Sequence, residues 1–200
     1  MTFDEIFMEA MDLEHKHNII LLTGLPGVGK TTLLRKICDE VRVINSCQGF
    51  LTEEVRDKQS RKRIGFDAVS MSGQRCVLAR DRAEKNKQMP MMGKYYIYID
   101  DFENLVLPLI ACANSKFELL VIDEIGKMEL KSKKFESALY ELIHKVPILA
   151  TIPCTVIKDS KLIEYIKKTP KSIIYEINKN NRDVIQKDVV TCINNMLKNN

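Results

Sequence analysis

Residues 24–31 read Gly24-Leu-Pro-Gly-Val-Gly-Lys-Thr31, and this stretch decides the fold. It has the required residue at every fixed position of the pattern G-x-x-x-x-G-K-[ST], which marks a loop that binds phosphate between a strand and a helix. An apolar run, Asn18 to Thr23, precedes it, and apolar residues at helical spacing from Leu33 to Val41 follow it. The sequence therefore predicts a buried strand, a phosphate-binding loop and an amphipathic helix.

The residue types in this loop suit a nucleoside triphosphate. Glycines allow the backbone to curl so that its N–H groups point at a phosphate, and the following helix adds the positive end of its dipole. Lys30 supplies a charge for the β- and γ-phosphates, and we expect its side chain to face solvent until a nucleotide binds. The hydroxyl of Thr31 suits Mg²⁺, a cation that prefers oxygen ligands.

A second apolar strand ends in two carboxylates, because Leu119 to Ile122 is followed by Asp123 and Glu124. Ligands of open α/β sheets lie at the carboxyl ends of the strands, so Asp123 is expected beside Thr31, where both would hold Mg²⁺. Side chains alternate along a strand, so Glu124 is expected to make a different contact. It would orient a water molecule towards the γ-phosphorus and accept its proton.

The acidic strand end also fits a second pattern. Asp123-Glu-Ile-Gly126 matches D-x-x-G, which small GTPases use as a switch. Those proteins select guanine with the carboxylate of N-K-x-D, whereas the nearest stretch here, Asn178-Lys-Asn-Asn181, ends in an amide. The sequence leaves the GTPase hypothesis open but favours a site with loose base selectivity.

The rest of the chain alternates strands with helices, except in one segment. Residues 43–80 contain three β-like runs joined by short polar turns, which is typical of an antiparallel hairpin insertion. The remainder predicts an α/β fold in which a mostly parallel central sheet is flanked by helices. Pro108 is expected to kink or interrupt its helix, and residues 81–93 are expected to form a polar loop. We assign residues 18–200 to one domain and residues 1–17 to an N-terminal extension.

Composition excludes several classes of protein. The 200 residues are 45% hydrophobic and 29% charged, values that exclude a disordered or collagen-like chain. The apolar runs are far shorter than the roughly 20 residues that cross a membrane. The net charge of +4 suits a protein that binds phosphate but lacks the dense basic stripe of a nucleic-acid binder. Six widely spaced cysteines without a secretory signal indicate reduced thiols, and we expect a cytoplasmic monomer.

Two further sets of residues are candidates for the site. Arg56 and Arg80 each end a β-like run, and one of them is expected to act as an arginine finger that stabilises charge on the transferred phosphoryl group. Lys127 is an equal candidate, and ordinary surface charge is the alternative for each arginine. Asn181 and Arg182 are candidates for contact with the base or ribose, with a helix N-cap at Asn181 as the competing interpretation.

Longer stretches point to a family. They are Gly24-Leu-Pro-Gly-Val-Gly-Lys-Thr-Thr32, Gly49-Phe-Leu-Thr-Glu-Glu-Val-Arg56, Arg63-Ile-Gly-Phe-Asp67, Val121-Ile-Asp-Glu-Ile-Gly-Lys-Met-Glu-Leu130, Leu149-Ala-Thr-Ile-Pro153 and Asn181-Arg-Asp183. Together they resemble the THEP1-type nucleoside-triphosphatases, the family of the cancer-related nucleoside-triphosphatase. The resemblance implies a P-loop fold and Mg²⁺-dependent hydrolysis of nucleoside triphosphates. The nucleotide-binding residues it implies are Gly24, Leu25, Pro26, Gly27, Val28, Gly29, Lys30, Thr31, Thr32, Asp123, Glu124, Ile125 and Gly126.

The sequence therefore predicts an Mg²⁺-dependent enzyme that hydrolyses nucleoside triphosphates to diphosphate and phosphate, with Glu124 and Lys30 as catalytic residues. Two alternatives stay open. A nucleoside or nucleotide kinase uses the same loop, and the basic insertion would then cover a second, phosphorylated substrate. A nucleotide-switched RNA-binding or signalling module would use slow hydrolysis only to reset itself, although the modest charge argues against nucleic acid as the main ligand.

Overall fold

One mixed sheet runs through the computed structural model, which describes residues 18–84, 88–111, 117–155 and 160–198. The strands in chain order are β1 (Ile19–Gly24), β2 (Cys47–Arg56), β3 (Arg63–Ser70), β4 (Arg75–Arg80), β5 (Met91–Met92), β6 (Tyr95–Ile97), β7 (Leu119–Ile122), β8 (Ile148–Thr151) and β9 (Ser172–Ile177). The helices are α1 (Lys30–Val41), α2 (Ile99–Ala111), α3 (Lys133–Leu142), α4 (Lys161–Lys168) and α5 (Ile185–Lys198), with a 3₁₀ turn at Glu129–Lys131. The order across the sheet is β5-β6-β4-β3-β2-β7-β8-β1-β9.

The sheet has two halves that share β2. In the parallel half, β2, β7, β8, β1 and β9 run in one direction. In the antiparallel half, β2, β3, β4, β6 and β5 alternate in direction. The register pairs Ile122 with Ala150 and Leu22 with Thr151, so the chain leaves β7 and β1 at neighbouring points on one edge. This edge brings the acidic end of β7 close to the phosphate-binding loop.

Alternate residues of the parallel strands enter two separate cores. Ile19 and Leu21 of β1 pack with side chains of α2, α3 and α4, whereas Ile20 and Leu22 pack with those of α1 and α5. Every residue of β7 and β8 is buried, because helices cover both faces of this half. The two cores hold the strand ends, and with them the site, in fixed positions.

The predicted α/β architecture is confirmed, whereas an interruption of α2 at Pro108 and an unbroken loop over residues 81–93 are wrong. Helix α2 continues through Pro108 to Ala111. Because only one turn follows the proline, its missing N–H removes one bond near the end of the helix. Residues 81–93 are not all loop, since Met91–Met92 forms β5 and pairs with β6. The predicted N-terminal extension, residues 1–17, lies outside the described residues.

Two further observations concern membranes and thiols. None of the helices in the described ranges is long and apolar enough to cross a membrane. The described cysteines, Cys38, Cys47, Cys76, Cys154 and Cys192, are free. Burial raises the pKa of the Cys38 thiol to about 12, so this group is a packing element rather than a nucleophile.

Candidate active site

The phosphate-binding loop joins the carboxyl end of β1 to the first residue of α1. A Cβ on Gly24 would lie 2.3 Å from the carbonyl oxygen of Ile177, and the φ of this glycine is +154°. Gly29, the residue before the helix, has a left-handed φ of 106°. Both conformations are accessible to glycine and costly for other residues. The glycines therefore fix how closely the loop lies against β9 and how it turns into α1.

Lys30 points into the curl of the loop. Its side chain donates from Nζ to the carbonyl oxygen of Gly24 at 2.9 Å, and Nζ lies 3.9 Å from Oε2 of Glu124. Lys30 is only 9% exposed, so the expectation that it faces solvent is wrong. The flexible stem lets the ammonium fold back onto loop carbonyls, which take the place of water as acceptors. The charge is thus already located inside the loop.

Asp123 is held at the end of β7 by hydroxyl groups from neighbouring strands. Its Oδ1 accepts a hydrogen bond from Oγ1 of Thr151 at 2.6 Å, and its backbone oxygen accepts one from the hydroxyl of Thr52. The residue is 2% exposed, and its Oδ2 is buried with no hydrogen-bond partner in the described structure. Burial raises the pKa of this carboxyl, and the hydroxyls of Thr151 and Thr31 oppose the shift.

These groups fit a magnesium ion. A partnerless buried carboxylate oxygen near the hydroxyl of Thr31 offers the hard oxygen ligands that Mg²⁺ prefers. Within the ranges that the structure describes, no group of three or more His, Cys, Asp or Glu side chains could hold a metal ion. One carboxylate and one hydroxyl are the small protein share expected of an ion that phosphate oxygens also bind.

Glu124 follows Asp123 through a cis peptide bond and lines the same cavity as Lys30. Burial raises the pKa of its carboxyl, Lys30 opposes that shift, and Asp123 adds to it. A carboxylate whose pKa is raised is a stronger base than an ordinary glutamate. The position and the environment of Glu124 therefore suit removal of a proton from water.

A cavity of about 910 Å³ lies over the loop. Its opposite wall comes from the antiparallel half, through Phe66 of β3 and Met92 of β5. The predicted residues that line it are Gly24, Pro26, Gly27, Gly29, Lys30, Thr31, Thr32, Asp123 and Glu124. The structure thus brings the loop and the acidic strand end into one chamber.

Four other residues that were predicted to bind the nucleotide do not line this chamber. Leu25 is exposed to solvent, Val28 is buried in the core beside α1, and Ile125 is buried in the opposite core. Gly126 lies against the carboxyl of Glu124. The buried side chains of Val28 and Ile125 are therefore unavailable to a nucleotide.

Neither predicted arginine lines the cavity. Arg56 pairs with the carboxylate of Glu54. Arg80 pairs with Asp67 at 2.5 Å and donates to the carbonyl oxygen of Phe66 at 2.9 Å. The strand-end positions predicted free guanidinium groups, but both find carboxylates on the hairpin strands, where side chains of neighbouring residues meet.

Two other cations do line the cavity. Lys127, the alternative named with the arginines, is exposed and has no ion pair within the described part of the chain. Arg35 of α1 also lines it, but its guanidinium lies 2.6 Å from Oε1 of Glu53. Lys127 is therefore the cation that is free to meet a phosphate.

Arg182 contacts the phosphate-binding loop from behind. Its Nη1 donates to the carbonyl oxygen of Val28 at 3.4 Å, and this nitrogen would lie 3.8 Å from a Cβ on Gly29. The residue thus supports the loop backbone near the start of α1, and its predicted contact with the base or ribose stays a prediction.

Asn181 does not cap the last helix. Its Oδ1 accepts from the backbone N–H of Asn178 at 2.8 Å, and its Nδ2 donates to the carbonyl oxygen of Glu176 at 2.8 Å. Because α5 begins only at Ile185, the N-cap interpretation is wrong. The carboxamide instead closes the loop after β9, where it satisfies backbone groups of the strand end.

Comparison with known proteins places this site in a family. The sequence profile of a family described as NTPase matches residues 19–190. The chain belongs to this family, the THEP1-type nucleoside-triphosphatases. It is 36% identical over 182 residues to the nucleoside-triphosphatase THEP1 of Aquifex aeolicus, covering 87% of this chain and 98% of the relative. It is 38% identical over 188 residues to the cancer-related nucleoside-triphosphatase of Homo sapiens, covering 90% and 98%.

Two solved structures of family members share the fold. The crystal structure of THEP1 from Aquifex aeolicus superposes with a TM-score of 0.74 at 32% identity and covers 88% of this chain and 98% of that chain. The solution structure of the human cancer-related nucleoside triphosphatase gives a TM-score of 0.75 at 38% identity, with 90% and 98% covered. Both the resemblance and the fold class expected from the sequence are confirmed.

The structure adds residues that sequence reasoning missed. Thr151 could have been found, because it ends the strand beside β7, and the ends of adjacent parallel strands meet at one edge. Thr52 and Glu129 lie in stretches that carry the family resemblance, but no pattern of residue types assigns either of them a role in the site. Thr52 reads as an ordinary strand residue, and a glutamate in a polar stretch is usually exposed. Their positions follow from packing between the two halves of the sheet.

Proposed function

We propose that the protein hydrolyses nucleoside triphosphates to the diphosphate and inorganic phosphate, with Mg²⁺ held at Thr31 and Asp123. One observation carries the proposal. Nζ of Lys30 lies 3.9 Å from Oε2 of Glu124 at the phosphate-binding loop, and the neighbouring Asp123 has a buried carboxylate oxygen without a partner in the described structure. An ammonium, a base and a metal ligand thus share one chamber. This set of groups suits phosphoryl transfer to water.

The loop and Lys30 bind the triphosphate. Backbone N–H groups of the loop and the start of α1 face the β-phosphate, as in other loops of this kind. Lys30 leaves the carbonyl oxygen of Gly24 and turns to the β- and γ-phosphates, whose charge makes them stronger acceptors. Binding therefore exchanges one set of hydrogen bonds for a charge-assisted set.

Thr31 and the free Oδ2 of Asp123 would hold the metal ion. When bound there, Mg²⁺ neutralises charge on the β- and γ-phosphate oxygens. Thr151 holds the carboxyl through Oδ1 and Thr52 holds the backbone oxygen, which leaves Oδ2 for the metal ion. Hydrogen bonds from neighbouring residues to a metal-binding side chain fix the orientation of that side chain.

Glu124 acts as the general base. A water molecule loses a proton to its carboxylate while the water oxygen bonds to the γ-phosphorus, and the bond between that phosphorus and the β,γ-bridging oxygen breaks. The electron pair leaves with the diphosphate, and the proton stays on Glu124 until solvent removes it. The raised pKa of this carboxyl favours proton uptake.

Lys127 supplies the cation that stabilises the transferred phosphoryl group. It lines the cavity three residues after Glu124 and is not tied to a carboxylate in the described structure. A lysine gives a point charge rather than the planar fork of an arginine, so its contact with phosphate oxygens is less directional.

Loose base selectivity follows from the loop after β9. Asn181, which stands where a guanine-selecting carboxylate would be required, uses its carboxamide for backbone groups of Asn178 and Glu176. A side chain whose polar atoms are already paired makes a poor reader of a base. Purine and pyrimidine triphosphates are therefore expected to compete for one site.

A phosphate-release panel tests the proposal. ATP, GTP, CTP and UTP are each incubated with the protein, with Mg²⁺ and with a chelator, and free phosphate and nucleoside diphosphate are measured. We expect release from all four with Mg²⁺ and none with the chelator. Hydrolysis of GTP alone, with ATP rejected by a factor of about 10⁴, would contradict loose selectivity. Full activity in the chelator would contradict the metal assignment.

One observation favours a second candidate, transfer of the phosphoryl group to another small molecule. The cavity continues past Glu124 to an apolar wall that includes Phe66, Met92 and Met128, which a triphosphate tail does not need. A ring system could pack there with a hydroxyl near the γ-phosphate. Mass spectrometry of reactions that contain nucleosides separates the two: a kinase gives a phosphorylated acceptor, and a hydrolase gives only free phosphate.

A further inference from the structure

Glu129 is a buried carboxyl group in the wall of the nucleotide cavity. It begins the 3₁₀ turn after the acidic strand end and is 4% exposed. No cation pairs with it within the described residues. A carboxyl buried without a cation costs free energy, so its retention beside the reacting groups needs an explanation.

Glu103 is also a buried glutamate, but it has a hydrogen-bond donor and a cation as partners, so it can be compared with Glu129. Glu103 of α2 is 8% exposed, accepts from the hydroxyl of Ser132 at 2.7 Å and lies 2.7 Å from Nζ of Lys134. These partners outweigh its burial and lower its pKa. Burial raises the pKa of Glu129 to about 8; hydrogen bonds from the backbone N–H groups of Glu129 and Gly126 oppose the shift, and the carboxyls of Glu124 and Asp123 add to it. Glu129 therefore keeps its proton near neutral pH, and Glu103 does not.

Gly126 separates Glu129 from Glu124. A Cβ on this glycine would lie 2.8 Å from Oε1 of Glu124 and 2.8 Å from Oε2 of Glu129. The two oxygens thus flank the same point, which only a hydrogen atom can occupy. The φ of Gly126 is not in the left-handed region, so the space between the carboxyls, not the backbone, requires a glycine.

Among the described residues, a single ion pair holds the carboxyl of Glu124. Its ion partner is Lys30 at 3.9 Å, and this ammonium is the group expected to turn to the phosphates when a nucleotide binds. Lys30 faces Oε2, whereas the wall formed by Gly126, with Glu129 on its far side, lies against the other oxygen, Oε1. This wall is available to fix the base during the reaction.

We infer that Glu129 is a positioning residue, which holds the carboxyl of Glu124 across Gly126 in the orientation that takes a proton from water. The inference rests on the proposed role of Glu124. On this inference the neutral carboxyl of Glu129 would donate its O–H to the carboxylate of Glu124, which lies on the other flank of Gly126. The proton of Glu129 is not consumed: the water proton goes to Glu124, and Glu129 keeps its own.

Two variants at position 129 test the inference. Glu129→Leu keeps the volume but removes the donor, and we expect kcat to fall about tenfold to a hundredfold, with the KM for ATP changed by less than about threefold. Glu129→Gln keeps a neutral side chain of the same length with an N–H donor, and we expect it to restore most of the lost turnover. The matched control is Glu103→Leu, which removes the paired buried glutamate and should leave kcat intact.

The coupling to Glu124 is the decisive measurement. In a Glu124→Gln background, Glu129→Leu should have little further effect on kcat, because the group it positions is already gone. An equal fold-loss in both backgrounds, or a normal kcat for Glu129→Leu, overturns the inference. Thermal unfolding of each variant checks that it is folded.

Gly126→Ala keeps the inference testable if Glu129→Leu does not fold. The added methyl group must push apart Oε1 of Glu124 and Oε2 of Glu129, so kcat should fall while nucleotide affinity stays. A parental kcat for this variant contradicts the inference. If the parent protein releases no phosphate from any triphosphate, the proposed function is wrong. This result is obtained with the parent alone, so it is distinct from a failure of the inference about Glu129.

Discussion

The two halves of the sheet use charge in opposite ways. In the parallel half, β7 and β8 are wholly buried, and charged side chains follow β7 only where the strand ends, at Asp123 and Glu124. In the antiparallel half, three carboxylates, Glu53, Glu54 and Asp67, each pair with two arginines. In the described residues, the first half has a buried carboxylate oxygen without a partner, Oδ2 of Asp123, beside a cavity, and the second half has a series of ion pairs.

The difference teaches which charges are free to act. A guanidinium already bound to a carboxylate must lose that partner before it meets a phosphate, so the arginines of the hairpins are poor candidates for chemistry. A buried oxygen without a partner, such as Oδ2 of Asp123, gains a great deal from a cation. We therefore expect variants in the parallel half to change the reaction and variants in the antiparallel half to change stability.

The largest effect is expected from Glu124→Gln. Gln has nearly the same size and can still hydrogen-bond a water molecule, but it cannot take the proton, so turnover should fall by about 10² to 10⁴. Nucleotide affinity, measured by fluorescence titration, should hardly change. Asp123→Asn is the matched neighbour and should instead raise the Mg²⁺ concentration needed for half-maximal rate. A parental single-turnover rate for Glu124→Gln would show that another group activates the water.

Lys30→Ala should have the next largest effect. Removal of the ammonium that faces the β- and γ-phosphates is expected to lower kcat/KM by about 10² to 10³. Lys36→Ala, on the exposed side of the same helix, controls for the loss of one positive charge. If both variants hydrolyse ATP like the parent, the loop is not the phosphate site.

The third prediction concerns the pH dependence of stability at the boundary between the halves. The folded pKa of Glu129 is about 8, above its ordinary value of 4.5, so the unfolded chain ionises first as the pH rises. The free energy of unfolding should therefore fall as the pH rises from about 4.5 to about 8. The loss should be about 3 kcal/mol at pH 7, and the curve should level off above about pH 8. Urea unfolding should show a steeper decline in the parent than in Glu129→Gln, which keeps only the smaller declines from the raised pKa values of Asp123 and Glu124. Parallel curves would contradict the assignment of a neutral Glu129.

Asp67→Asn should lower stability and leave the reaction intact. Asp67 is buried and lies 2.8 Å from a guanidinium nitrogen of Arg75 and 2.5 Å from one of Arg80. The amide leaves two guanidinium groups with weaker partners, and we expect a loss of about 1 to 3 kcal/mol in the free energy of unfolding. A hundredfold loss of kcat with normal stability would instead place Arg80 in the reaction.

The smallest effect is expected from Arg56→Ala. Its partner Glu54 also pairs with Arg63, and both pairs are well exposed, so stability should change by about 0.2 to 1 kcal/mol. Turnover should stay within about threefold of the parent, whereas Lys127→Ala should lower it by about 10². If Arg56→Ala lowered turnover more than Lys127→Ala, Arg56 would be the cation that stabilises the transferred phosphoryl group. The contrast between the two halves of the sheet would then be wrong.

Much of the fold could be predicted because its strands are short, apolar and clearly bounded. Leu119–Ile122 has the bounds expected from its run of apolar residues. The short strand Met91–Met92 could not be foreseen, because two residues carry no periodicity and pair only once β6 is in place. The predicted interruption at Pro108 is wrong for a related reason. A local rule predicts that the helix is interrupted there, but the tertiary packing of α2 tolerates one missing backbone hydrogen bond.

The sequence by itself determined the phosphate-binding loop and the acidic strand end, because both depend on residue types at fixed local spacing. The tertiary structure alone decided which charges are free. Whether Arg80 meets Asp67, whether Lys127 stays unpaired, and whether Glu129 is buried opposite Glu124 depend on strands and turns that are distant along the chain or on how they pack. The pairing of charges is set by distances of a few ångströms in space, which no local pattern of residues specifies.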